Sequence, residues 1–133
     1  GRTERWTDHA APDILPSLAA SGGRVLLVWQ TLRRDSFDIY YRLHQNGVWS
    51  AEAAVTANAA NDWEPVAAAS SDGAFHVAWD SYRGSYDVLL RTLSRSGTWS
   101  PEIAVAASPS LENHASLAAD AGGRVWFTWE IGP

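Results

Sequence analysis

The chain has 133 residues, 46% hydrophobic and 19% charged, a balance that fits one globular domain with a real core and excludes a disordered segment. Formal net charge is -5 and all ten basic residues are Arg, scattered except for Arg33-Arg34, so the clustered footprint of a nucleic-acid partner is missing. Cys is absent, which excludes disulfides and thiolate metal sites, and no apolar run is long enough to cross a bilayer.

Met is absent too, and the first residues do not read as a signal peptide. Gly1 is therefore expected to follow a cleavage or boundary, as in a piece of a longer protein or a processed product. The compartment stays open, with a secreted or cell-surface bacterial setting as the working expectation.

Trp29, Trp79 and Trp129 recur at fifty-residue intervals, and Trp49 and Trp99 keep the same spacing. A repeat of that length without a 3.6-residue period predicts an all-β chain of four-stranded antiparallel blades, as in a β-propeller. In chain order, residues 1–12 come first. Trp6 to Asp13 aligns without gaps on Val55 to Asp62, so residues 3–7 are expected to be the outer strand of a preceding blade.

Residues 13–61 form the first blade. Its inner strand, Pro16 to Ala20, has small residues suited to a crowded axis. Its second strand, Val25 to Gln30, is apolar on both faces, as in a sheet sandwiched between neighbours. Phe37 to Arg42 is the third strand, and a Gly47-Val48-Trp49-Ser50 turn leads to the outer strand, Glu52 to Thr56. Residues 62–111 repeat this order with Pro65 to Ala69, Phe75 to Asp80, Tyr86 to Arg91, Gly97 to Ser100, and Glu102 to Ala106. Residues 112–133 hold the first half of a third blade.

About 2.7 repeats cannot close a ring. Either two copies associate head to tail to close about six blades, or the chain is part of a larger propeller.

Several recurring residues read as structural. Trp29, Trp79 and Trp129 are expected between blades, and Trp49 and Trp99 at the sheet edge. Asp38 with Arg42, and Asp87 with Arg91, lie four apart on a strand and share a face, which predicts a repeated ion pair. His76 takes the place of Leu26 and Trp126 and reads as packed core. The turn at Gly97 is expected to need a positive φ.

Where the third strand turns into the fourth, the chain carries Ser94-Arg95-Ser96-Gly97-Thr98-Trp99-Ser100 and His44-Gln45-Asn46-Gly47-Val48-Trp49-Ser50. These stretches resemble the Asp-box turn (Ser-x-Asp-x-Gly-x-Thr-Trp) of sialidase-type propellers with bacterial neuraminidase repeats. They keep the Gly-x-Trp centre, but the box is one residue short and lacks its Asp. The resemblance implies a propeller fold. In that family, three Arg hold a substrate carboxylate and a Tyr nucleophile works with a Glu. Arg33, Arg34 and Arg83 fall in loops and Tyr40 and Tyr41 in mid-strand, so the catalytic set is not placed.

Loops at one face of the blades collect the candidate ligand-binding residues Trp63, Glu64, Asp80, Tyr82, Arg83, His114, Arg33 and Asp35. Aromatic faces there would stack on a sugar, while carboxylates and Arg forks would hydrogen-bond its hydroxyls. The recurring acids Asp13, Asp62 and Glu112 read either as part of that rim or as turn caps that accept backbone N–H groups. Asp62 with Asp80, or Asp80 with Glu130, would be the acid and base of a glycosidase. The four His show no metal-ligand spacing, so no metal or cofactor is expected. The first expectation is a non-catalytic propeller module that binds a glycan or another extracellular ligand. The alternatives are a structural or protein-interaction propeller that self-assembles through its blade ends, and a truncated sialidase-like hydrolase.

Overall fold

Eleven strands in three antiparallel sheets account for the regular structure of residues 1–132, which the computed structural model describes, and no helix occurs among them. The first sheet runs β1 (Asp13–Ser21), β2 (Arg24–Leu32) and β3 (Phe37–Gln45), with two short strands, β4 (Val48–Trp49) and β5 (Ala53–Ala54), both on β3. The second runs β6 (Asn61–Ala69), β7 (Phe75–Tyr82), β8 (Tyr86–Leu93) and β9 (Ile103–Ala106). The third pairs β10 (Leu111–Ala119) with β11 (Val125–Gly132).

Tight turns follow from the residues in them. Asn46 and Gly47 both have positive φ, 52° and 79°, and join Gln45 to Val48 as a two-residue hairpin. Asn-Gly is the pair that tolerates this geometry best. Gly97 has φ 90°, as the sequence predicts. Its N–H donates to Ser94 O at 3.0 Å, closing the turn that leads to Trp99.

Packing explains why the second strand of each repeat is apolar on both faces. Leu26, Val28 and Ile39 from the first sheet, with Val55 just after it, meet Phe75, Val77 and Trp79 from the second. Ala78, the intervening residue on β7, joins a second cluster with Val88, Ala106 and Ala115. Alternate residues of β7 thus face opposite neighbours. Trp99 wedges between the first two sheets, its ring 5.2 Å from Tyr41 at 74°.

Trp79 is fully buried between the first two sheets, as expected, whereas Trp29, 2% exposed, lies on the far face of the first sheet beside Trp6 and Thr7. Trp129 departs from that expectation and is 40% exposed. Its strand is the free edge of a two-stranded sheet, whereas β2 and β7 each have a further strand beside them.

Two other expectations are corrected. Residues 3–7 do not form a strand, because an extended segment becomes one only against a ladder partner, and none faces it. The segment is held by side chains instead. Trp6 packs on Trp49 at 5.2 Å, and Arg42 Nη1 donates to Trp6 O at 2.7 Å. One repeat later, Arg91 Nη1 donates to Val55 O at 2.6 Å, so Trp6 occupies the place of Val55 even without a strand.

Those bonds also remove the ion pairs expected of Asp38 with Arg42 and Asp87 with Arg91. Both Arg side chains reach carbonyls, Ser50 O and Ser100 O included. Arg33 with Glu52 and Arg83 with Glu102 are the ion pairs that do recur, linking the turn after each second strand to its outer strand.

Candidate functional site

A β-bulge recurs at the same place in each sheet. Ile14 pairs with Gln30 and Ser17 with Val28, so Leu15 and Pro16 together stand opposite Trp29. Glu64 and Pro65 stand opposite Trp79, and His114 and Ala115 opposite Trp129, in the same way. Leu15, Glu64 and His114 accordingly take left-handed backbone angles, with φ of 51°, 51° and 53°. These residue types rarely adopt that conformation, so the surrounding bonds must hold it.

The holding bond crosses between sheets. Glu64 N–H donates to Gln30 Oε1 at 2.8 Å, and His114 N–H donates to Asp80 Oδ2 at 2.8 Å. Gln30 and Asp80 each follow the Trp that ends the apolar run of their strand. A bulge re-aims a side chain, and here it turns Glu64 and His114 toward a cleft between sheets.

That cleft measures ≈ 280 Å³. Leu15 and Gln30 line it from the first sheet, Trp63, Glu64, Asp80 and Tyr86 from the second, and Asn113 and His114 from the third. Trp63 and Tyr86 form an aromatic wall, with ring centroids 5.6 Å apart and planes 31° from parallel. Tyr82 continues it, 5.1 Å from Tyr86.

Charge gathers opposite this wall. His114 Nε2 lies 3.6 Å from Glu64 Oε2, and His114 Nδ1 lies 3.2 Å from Glu130 Oε2. The hydrogen bond with Glu130 and the charge of Glu64 raise the His114 pKa above its ordinary value of 6.5. Asp80 is 3% exposed and its buried Oδ1 makes no hydrogen bond of normal geometry. Burial, seconded by the Glu64 charge, raises the Asp80 pKa despite the N–H it accepts from His114.

Of the residues expected at the rim, the structure brings together Trp63, Glu64, Asp80 and His114. Tyr82 is 46% exposed at the edge of the aromatic wall. Arg33 is elsewhere and committed: its side chain is 10% exposed between Asp13 and Glu52, and it covers Tyr40 at 4.3 Å. Arg83 grips Glu102 with two bonds of 2.7 and 2.9 Å. Asp35 is exposed in the loop between β2 and β3, away from the cleft.

The recurring acids are neither a rim nor, for the most part, turn caps. Asp13 Oδ1 accepts the Trp29 indole N–H at 2.9 Å, and Asp62 Oδ1 accepts that of Trp79 at 3.1 Å. Burying a Trp requires a partner for its N–H, and the acid supplies one. Glu112 alone keeps the capping role, accepting Ser108 N–H at 2.8 Å. Leu15 and Asn113 of the cleft escape sequence reasoning, since nothing in either residue type marks a bulge.

Compared with known proteins, the chain matches no family model and no curated protein.

Proposed function

We propose that this chain is a stretch of β-propeller whose inter-sheet cleft binds a carbohydrate without catalysing a reaction. The observation that carries the reading is that the Trp63–Tyr86 wall, 5.6 Å between centroids, shares one cleft with the polar groups of Glu64, Asn113 and His114. A sugar ring has an apolar face for stacking and hydroxyls for the carboxylate, amide and imidazole opposite. Asp80 has one oxygen committed to the His114 N–H and is buried, which places it poorly for proton exchange with a substrate.

Three features support the propeller. The sheets follow one another along the chain as antiparallel meanders. Their first strands are neighbours, β6 against β1 and β10 against β6. The same bulge and cross-sheet bond recur at both junctions. The Gly-x-Trp turns at Gly47 and Gly97 extend the likeness to sialidase-type blades.

Titration of neutral and acidic sugars, followed by Trp fluorescence with a chelator present, tests the binding. Saturable quenching that Trp63→Ala abolishes is expected. A flat response across both sugar classes would sink the reading.

A second reading has its own observation. On β11, Trp126, Trp129 and Ile131 are 58%, 40% and 66% exposed, although Leu26 and Trp79, which hold the places of Trp126 and Trp129 in other repeats, are fully buried. Trp126 lies on the opposite face of β11 from Trp129 and Ile131, so covering them takes both strands added beside β11 and a further sheet beyond it, from a longer polypeptide or a second copy. Light scattering separates the two sources: a second copy predicts a mass of two chains, and a single-chain mass at high concentration counts against it.

A further inference from the structure

Two of the groups offered to the sugar, Glu64 and His114, also meet the buried Asp80. Oxygen atoms of Glu64 and Asp80 and a ring nitrogen of His114 all lie within 4.8 Å of one another. The three residues come from three strands, β6, β7 and β10. Asp80 is 3% exposed, and its Oδ1 makes no hydrogen bond of normal geometry. A buried carboxylate oxygen without a hydrogen bond is costly, and a cation is the partner that such an atom otherwise lacks.

We infer that Glu64, Asp80 and His114 form a binding site for one divalent transition-metal ion of the Zn2+ type, bridging the second and third sheets. The donor set decides the class. Two carboxylate oxygens and an imidazole suit Zn2+, whereas Mg2+ and Ca2+ take oxygen ligands alone. The surroundings of His114 fit as well. Nε2 faces Glu64 at 3.6 Å, and Nδ1 faces Glu130 at 3.2 Å. A ligating His usually donates its other ring N–H to a carboxylate, which fixes the ring and makes it a better ligand. Glu130 fills that position. Glu64 and His114 have side chains 44% and 49% exposed, which gives the ion a path in from solvent.

The preceding junction supplies an internal control. Leu15 and Gln30 occupy the places of Glu64 and Asp80, so that junction keeps the backbone bond but has no such donor set. Leu is therefore compatible with the bulge, and a neutral amide with the N–H it must accept. Ion binding needs no sugar, so this inference stands or falls separately from the carbohydrate reading.

The test is calorimetric titration of ZnCl2 into tag-free, chelator-treated protein, with the melting temperature measured alongside. One Zn2+ per chain and a rise in melting temperature are expected. Asp80→Gln, which copies Gln30 of the preceding junction, and His114→Leu, which puts at this bulge the residue type that Leu15 holds at its own, should each weaken binding by more than about tenfold. Glu64→Gln should do the same while leaving the Glu64 backbone bond intact, so it serves if the other two fail to fold. No saturable heat, unchanged affinity in Glu64→Gln and His114→Leu, or equal affinity for Mg2+ would each overturn the assignment.

Discussion

The two junctions between sheets share a backbone and differ in chemistry. At the first, Gln30 accepts the N–H of Glu64, and Leu15 occupies the bulge on the near side. At the second, Asp80 accepts the N–H of His114, and Glu64 occupies the near bulge. The distances are the same, 2.8 Å, and the left-handed angles agree within 2°. The cross-sheet bond thus needs only a main-chain donor and a side chain with an acceptor oxygen. That requirement leaves the side chains at the bulges free to vary. The repeat supplies positions, and the second junction fills them with two carboxylates and an imidazole.

The largest expected effect tests whether the sheets are held by burial of the Trp that faces each bulge. Trp79→Ala should destabilise by about 3–5 kcal/mol, because the indole is fully buried and truncation leaves a cavity. Trp129→Ala, at the equivalent but exposed position, should cost about 1 kcal/mol or less. Urea denaturation of both variants checks the contrast, and similar losses would mean that burial between sheets is not what distinguishes them.

Asp62→Ala comes next. It leaves the buried Trp79 N–H without its acceptor and should cost about 1–3 kcal/mol. Asp62→Asn keeps an acceptor oxygen and should recover most of the loss. Equal losses in the two variants would show that the carboxylate charge, rather than the hydrogen bond, holds the indole.

How far these features were legible in the sequence follows from their physics. Hydrophobic period and turn residues are local, so the strands around Trp29, Trp79 and Gly97 could be read directly. Stacking is not local. Trp129 has nearly the same sequence surroundings as Trp79, and its exposure depends on what lies beyond β11. The bulges left almost no trace, because Leu15, Glu64 and His114 share no residue type and none favours φ above zero. Pro16 and Pro65 are the one hint, since Pro within a strand marks a bulge or an edge. The meeting of Glu64, Asp80 and His114 was hidden for a related reason: their spacings of 16 and 34 residues match no metal motif, and only the register of three strands joins them.

The smallest expected effect concerns a position that is core in the first repeat and only half-buried in the second, where packed core was expected. Leu26 of β2 is replaced in β7 by His76, whose ring bonds the Thr92 and Ser70 hydroxyls at 3.0 and 3.1 Å. Burial lowers the His76 pKa below its ordinary value of 6.5, against a weaker pull from Asp72. The folded state therefore prefers the neutral ring. This contribution to stability is fully present above pH 6.5 and is lost as pH falls toward the depressed folded value, because the unfolded chain takes up the proton first. His76→Leu copies the first repeat and removes that proton uptake. Its melting temperature should fall less than that of the parent protein between about pH 7.5 and about pH 5. Parallel pH profiles for the two proteins would show that His76 stays accessible to protons in the fold. The hydroxyl pair around it would then not be holding a neutral ring.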